Sequence, residues 1–399
     1  MRLILLLIAF SCSCHVFSDT VSVNRDHLNG DFSFSEGNLL QGSVKADLGQ
    51  IDNFLRTETS KQNTSYVQIS PELFIQTQGE ESLFQIKATL DYLAFEKFSS
   101  DDHVDFSVLS KVHFKLAESQ KLFVTGFIGD DYEYRGTGLS LGEPSSIDEG
   151  DTKRNEFFNV GYLYGHQDSL ARAKILLGYR DFSYQTRASL TSQLSYSSNY
   201  LQADFDYLIT GKTYFSTKVQ LEDFNYQANV DLERKQYLAL AGVKWHSSEL
   251  TQLHLLMGYE KAVFNNETFA NKARFAWQIN LLWNPIERIR INFGSGSQIS
   301  DSFKIAKSIN FSDYYSVDLT YDFTDRIALN MSGKMIKEDV VEVDNEIEEE
   351  HFETTVRLQY HWREWLSIFT QFSYDNFDST VVINNYDVQA ASVGVVVTF

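Results

Sequence analysis

Cysteine is almost absent. The chain has 2, Cys12 and Cys14, both near its start. No disulfide framework or cysteine metal cluster is therefore available to the rest of the chain. Proline is nearly as scarce, with 3 in 399 residues. That scarcity suits long, uninterrupted strand pairing, because proline cannot donate to a ladder. Positive charge is short as well: 34 Lys and Arg stand against 54 Asp and Glu, a net charge of −20. A nucleic-acid partner is excluded on that balance, since phosphate contacts need clustered cations. No stretch approaches the roughly 18 consecutive apolar residues of a membrane helix. Aromatic residues, in contrast, are plentiful, with 31 Phe and 21 Tyr.

The N-terminus reads as a secretion signal. Met1-Arg2 is basic, Leu3 to Phe10 is apolar, and Val16-Phe17-Ser18 offers a cleavage site before Asp19. Lipidation at Cys12 or Cys14 is the weaker reading, because Phe10 and Cys12 fit a small-residue lipobox badly. The expected organisation is a signal peptide over 1–18, a periplasmic lead-in over 19–40 and one barrel over 41–399.

The rest of the chain alternates with a period of two. Phe106, Val108, Val112, Phe114 and Leu116 are interleaved with Asp105, Ser107, Lys111, His113 and Lys115. The same pattern recurs in Leu201–Ile209, Phe275–Trp283, Tyr315–Phe323 and Phe352–Trp362. Such segments have one apolar and one wet face. They run about ten to twelve residues, where soluble strands average about five or six and a tilted membrane strand needs about nine to eleven. The connections are short and long in turn. The short ones fall at Ala117–Gln120, Gly165–Ser169, Thr210–Lys212, His246–Glu249, Asn284–Glu287, Thr324–Arg326 and Arg363–Glu364. The long ones fall at Asp130–Asn155, Ser183–Ser198, Lys261–Lys272, Ser295–Ser312, Ile336–His351 and Asp375–Tyr386. This is the pattern of a transmembrane antiparallel up-and-down β-barrel with short periplasmic turns and longer outer loops. Sixteen strands are countable from Phe84 to Phe399, and candidates at 42–51 and 64–76 would make eighteen. An even count puts both termini in the periplasm of a Gram-negative cell.

Two further signals agree. Val393, Val395, Val397 and the terminal Phe399 share one face, which resembles the C-terminal recognition strand read by the barrel assembly machinery. Trp245, Trp283, Trp362 and Trp365 all sit beside short turns, as an interfacial aromatic girdle would.

Assigning the apolar face to lipid leaves the other face to the lumen. Its bases are Lys87, Lys111, Lys115, Arg172, Lys174, Arg180, Lys218, Lys244, Arg274, Arg288, Arg290, Lys334 and Arg357. Its acids are Asp91, Asp105, Asp204, Asp206, Glu222, Glu260, Asp318, Asp322 and Glu353. Bases outnumber acids, which predicts a wet, mildly cationic wall, unless each base pairs with an acid nearby, as Arg357 could with Glu353. The acidic excess gathers in the expected loops 130–151 and 337–350. These read as solvated loops, or as carboxylates binding divalent cations that tie them to lipopolysaccharide. Whether any metal binds is left open. No cofactor motif is present.

An enzymatic reading has little support. His113, His254 and His361 read as lumen-facing, where a Ser–His or Asp–His pair could act as a hydrolase, but no G-x-S-x-G or H-E-x-x-H occurs. Gly178-Tyr179-Arg180, Gly258-Tyr259-Glu260 and Trp283-Asn284-Pro285-Ile286-Glu287-Arg288, followed by the closing Val393–Phe399 strand, resemble the putative beta-barrel porin family of the exopolysaccharide-operon type. The resemblance covers roughly 156–399. It implies an outer-membrane pore or export-associated barrel with no catalytic residues. The expectation is a porin-like conduit for hydrophilic or anionic solutes, associated with polysaccharide export. The alternative is a barrel plugged by loops that binds at the surface. The expected partners are outer-membrane lipid, lipopolysaccharide, the assembly machinery and a small hydrophilic or polysaccharide solute.

Overall fold

A strand with one apolar and one polar face is satisfied when the sheet closes on itself and leaves no edge. The computed structural model describes residues 37–399 apart from 167–168, 249, 268–269, 302–308 and 342–345. The expected signal peptide and most of the 19–40 segment lie outside the described residues.

Eighteen strands follow one another: β1 (Gly37–Ile51), β2 (Thr64–Gln78), β3 (Ser82–Phe95), β4 (His103–Ala117), β5 (Gln120–Glu133), β6 (Asp151–Tyr164), β7 (Ala171–Tyr184), β8 (Tyr196–Thr210) and β9 (Thr213–Tyr226) make the first half. β10 (Arg234–Ser248), β11 (Thr251–Phe264), β12 (Lys272–Ile286), β13 (Ile289–Asp301), β14 (Ile309–Thr324), β15 (Ile327–Val341), β16 (Glu346–Arg363), β17 (Leu366–Ser379) and β18 (Tyr386–Thr398) make the second. Each pairs antiparallel with the next, and β18 pairs with β1 to close the barrel. The two N-terminal candidates are therefore real strands, β1 and β2. At the closure Gly42 and Phe399 exchange N–H···O bonds of 2.9 Å in both directions. The terminal ring lies across Gly42, where a Cβ would come within 2.3 Å of it.

The strands are longer than their alternation suggests. β15 and β16 carry the chain to Val341 and from Glu346, so most of the expected acidic loop 337–350 is paired wall. The expected loop 130–151 shrinks to 134–150, and Ser295–Ser312 is strand as far as Asp301 and again from Ile309. The reason is physical. Beyond the apolar band both faces carry polar residues, such as Asp130 and Arg154 outside and Asp131 and Lys153 inside. The contrast between faces disappears while the ladder continues.

Five cross-strand pairs set an aromatic ring against an inward glycine: Tyr66 with Gly49, Phe123 with Gly161, Tyr200 with Gly178, Tyr314 with Gly296 and Phe369 with Gly394. Rings laid over glycines cover the exposed backbone and allow the wall to curve. Pro71 lies within β2, and no pairing joins Ser70 and Pro71 to β3, since proline has no N–H to give.

One part of the ring is irregular. β12 and β13 pair only as far as Gln278–Gly296, although each continues outward with its other neighbour. The sequence there is Gly294-Ser295-Gly296-Ser297, which presents little side-chain bulk and permits a sharp bend. Past this point β13 and the start of β14 turn into the barrel. The outward face of this arm packs on the lumen face of β11: Ile299, Ile309 and Phe311 lie against Ala262 and Phe264. The wall overlaps itself at this place.

Candidate functional site: the lumen wall and its long-loop mouth

Register fixes which side chains face the lumen. Arg172, Lys174, Arg180, Arg274, Arg290 and Arg357 all take inward positions, but most meet partners. Lys174 Nζ is 3.0 Å from Asp204, Arg180 is 3.3 Å from Glu222, and Arg290 is 3.2 Å from Asp322. Arg274 reaches Asp313 and lies over the Phe311 ring at 5.3 Å. Lys244, Lys87 and Lys45 pair with Asp206, Glu72 and Asp47. Arg172 is buried beside His246. Arg357 donates to Gln371 Oε1 at 2.9 and 2.6 Å rather than to Glu353, and its guanidinium covers Phe369 at 4.8 Å.

One sequence assignment is corrected. Arg288 is not on the wall: it lies in the two-residue turn between β12 and β13 and donates to the Phe323 carbonyl. Tight turns consume residues that alternation alone would give to a strand. The sequence reading also missed several inward charges: Lys153, Glu338, Glu349 and Asp375 lie in strand ends read as loops, Arg234 opens β10, and Lys45 and Asp47 lie in β1. With these added, acids and bases balance more closely than the mild cationic excess expected. A full register of the outer strand halves was the missing signal.

The other expected residues are placed as follows. Val393, Val395 and Val397 face outward along β18, beside β1 and on the mouth side of Phe399. Trp245, Trp283, Trp362 and Trp365 are exposed on the outside at the tight-turn end. His113 is buried and stacked on Phe123, and His246 and His254 bring their Nε2 atoms within 3.2 Å. His361 Nδ1 is 2.8 Å from Ser367 Oγ, but no carboxylate hydrogen-bonds the second ring nitrogen among the described residues. That leaves the pair without the orienting acid that a hydrolytic triad uses.

An 18-stranded barrel is wide enough for an aqueous channel. Here many inward side chains are covered by their neighbours. Gln202, Lys218, Lys244, His254, Arg357 and Gln359 point inward, yet all are buried. Lys218 Nζ on β9 comes within 3.4 Å of Gln278 Oε1 on β12, so the wall curves tightly between them. Leu240, Leu256 and Ala276 form a dry layer on the lumen side. The interior is therefore not wet throughout.

The long-loop mouth is narrowed on two sides. The arm of β13 and β14 occupies one. Arg234, with 1% of its side chain exposed, donates to Asp301 Oδ1 at 2.7 Å and to Tyr226 Oη at 3.0 Å, and its guanidinium lies 4.1 Å above Phe224. Ile299 N donates to Glu260 Oε2 at 2.8 Å, and Gln236 Nε2 donates to the Ile299 carbonyl at 3.1 Å.

Loops occupy the other side. Phe54, from the β1–β2 loop, is fully buried and stacks on Phe98 of the β3–β4 loop at 4.4 Å. Asp101, fully buried in the β3–β4 loop, accepts from Arg135 at 2.5 and 3.0 Å and from Tyr132 at 2.7 Å. The β5–β6 loop then passes over both. Gly136 (φ 82°) lies on the Leu55 carbonyl, and Gly142 (φ 79°) abuts Ile383 and Asn384 of the β17–β18 loop. Only glycine fits at either place, because a Cβ would clash and the backbone is left-handed. Leu139, Leu194 and Leu232, from three successive loops, cap a cluster of Phe182, Tyr184, Tyr196, Phe224 and Tyr226. Three of the seven acids in the expected solvated loop 130–151 are ion-paired: Asp130 with Arg154, Glu133 with Lys153, and Asp151 with Arg187.

Several solved barrels are similar to this chain. OccAB4 of Acinetobacter baumannii is 13% identical, covering 92% of this chain and 98% of its own at a TM-score of 0.46. The outer membrane protein opdK of Pseudomonas aeruginosa is 10% identical, covering 90% and 99% at 0.47. The ferric enterobactin receptor PfeA of Pseudomonas aeruginosa is 7% identical, covering 92% and 81% at 0.43. At such identities the likeness concerns the fold alone. No curated protein matches the sequence. The family model described as "Putative beta-barrel porin 2" matches residues 37–399, well beyond the segment where the resemblance was legible. The chain is an outer-membrane porin-like β-barrel and belongs to that family.

Proposed function

We propose that the protein is a narrow, selective conduit for small hydrophilic solutes, with its tight turns and both termini in the periplasm and its long loops outside. The observation that carries this reading is the mouth itself. Loops joined by buried ion pairs cover one side and the folded-in arm the other, while the wall below keeps charged pairs such as Lys174–Asp204 and Lys244–Asp206. A solute passing close to such pairs exchanges hydration for fixed hydrogen bonds, which favours charged or sugar-like cargo over bulk diffusion. Anionic solutes and a place beside polysaccharide export belong to the same proposal, as do lipid, lipopolysaccharide and the assembly machinery as partners. No catalytic role is assigned.

The second reading is a plugged barrel that binds at its surface, and the burial of Phe54, Asp101 and Leu232 in the loops favours it. Planar-bilayer conductance of the purified protein separates the two. Small, discrete single-channel steps support the conduit. Absence of any step across many insertions rejects it in favour of the plug. Large steps with uptake of long neutral sugars would reject both.

A further inference from the structure

In a strand, residues i and i+2 share a face, and an antiparallel neighbour adds a third side chain beside them. β16 uses this to point His351 and Glu353 into the lumen near the long-loop mouth, and the register sets Asp375 of β17 opposite Glu353. His351 Nε2 stands 2.8 Å from Asp375 Oδ1 and 3.5 Å from Glu353 Oε1. One donor atom from each of the three lies within 4.8 Å of the others. Ligands at about 2.0–2.2 Å from a tetrahedral ion stand about 3.3–3.6 Å from one another. Small side-chain rotations therefore separate this triangle from a coordination shell. We propose that His351, Glu353 and Asp375 bind a divalent transition-metal ion, with Zn²⁺ the closest match to one imidazole and two carboxylates.

A second observation points the same way. Glu353 Oε2 is buried and has no hydrogen-bond partner among the described residues. An unpaired buried carboxylate oxygen is costly, and a cation at this place would satisfy it. The surrounding charge agrees. Glu349 precedes His351 on the same face, and Glu338 faces Glu349 across the β15–β16 ladder. Among the described residues the cations nearby include Lys334, opposite Glu353 in register, and Arg56.

Arg56 supports the site. It reaches down from the β1–β2 loop, and its Nε lies 3.6 Å from Asp375 Oδ2. Oδ1 is the atom turned toward His351. One carboxylate oxygen thus meets the supporting guanidinium while the other remains for the ion, the usual division between a ligand and its outer partner. The guanidinium is held 4.5 Å above the Tyr134 ring. An ion here would link the outer loops to the wall.

The test uses the full, tag-free barrel in detergent, dialysed against chelator. Zn²⁺ is titrated by calorimetry, and Co²⁺ reports ligand type through its visible absorption. One ion per chain is expected. His351→Asn and Glu353→Gln should each weaken binding by more than the roughly 10–100-fold that loss of a supporting partner costs, and Arg56→Gln by about that range. His254→Asn, which disrupts the separate His246–His254 pair, should change nothing. Heat-modifiable migration confirms that each variant is folded. Absence of stoichiometric binding overturns the proposal. So does binding that survives His351→Asn, or that disappears with His254→Asn. The readout is independent of whether the barrel conducts.

Discussion

Replacing Arg234 by methionine should release the folded-in arm. The substitution keeps a comparable apolar stem but leaves Asp301, among the described residues, with the Tyr226 hydroxyl alone. The Arg234 side chain is 1% exposed and that of Asp301 11%, so the pair belongs to the buried class. Removing one partner of a buried pair costs about 3–5 kcal/mol, because the other charge is stranded. At about 1.4 kcal/mol per tenfold, the equilibrium for undocking the arm should shift by roughly two to three and a half orders of magnitude. Hydrogen exchange reads this directly: the amides of 297–301 and 309–313 should exchange faster by that factor, while those of β4 and β5 remain as they were. In bilayers the same variant should show larger or flickering steps. The double variant Arg234→Met/Asp301→Leu should recover much of the protection, since it strands no charge. If the single variant protects the arm as well as the unsubstituted protein does, the ion pair does not hold it, and the packing of Ile299 and Ile309 on Ala262 and Phe264 does.

Other outcomes follow from the same geometry. Gly42→Val should clash with the Phe399 ring and lower the amount of folded protein in outer-membrane fractions, and deletion of Phe399 should do the same while secretion continues. Ala-level tolerance at Phe399 with normal folded levels would mean that the last residue is only an edge. Asp204→Asn should leave Lys174 without its partner at 3.0 Å and move reversal potentials toward anions, and an unchanged potential would place the ion path away from that wall. Asp101→Ala should strip Arg135, Tyr132 and Gly150 of their shared acceptor and make the 134–150 loop susceptible to limited proteolysis, with the barrel still heat-modifiable.

The strands were legible because lipid demands an apolar face and a strand repeats every two residues. Phe106–Leu116 and Phe352–Trp362 showed it plainly, and β4 and β16 contain them. The outer halves of the strands were not legible. Residues such as Lys337, Glu338 and Asp339 alternate in direction but not in polarity, so hydropathy cannot distinguish a ladder from a loop there. The arm was hidden for a related reason. Gly294-Ser295-Gly296-Ser297 has the composition of a linker, and only the pairing with β14 reveals a bent strand. The His351, Glu353 and Asp375 triangle combines an i, i+2 pair with a cross-strand neighbour more than twenty residues away. Its recognition requires the register of β16 with β17, which the expected connections Ile336–His351 and Asp375–Tyr386 had obscured.

A barrel in which every strand grips both neighbours is a fixed hoop: its circumference cannot change without breaking a full ladder. The overlap of β13 and β14 on β11 makes this one closer to a belt with a buckle. The buckle is made of side-chain contacts, Ile299 and Ile309 on Ala262 and Phe264, pinned by Arg234–Asp301, so it can yield without a ladder being broken. Lateral pressure on the long-loop rim is then expected to be absorbed at the buckle. The rest of the wall keeps its register while the girth of the mouth adjusts.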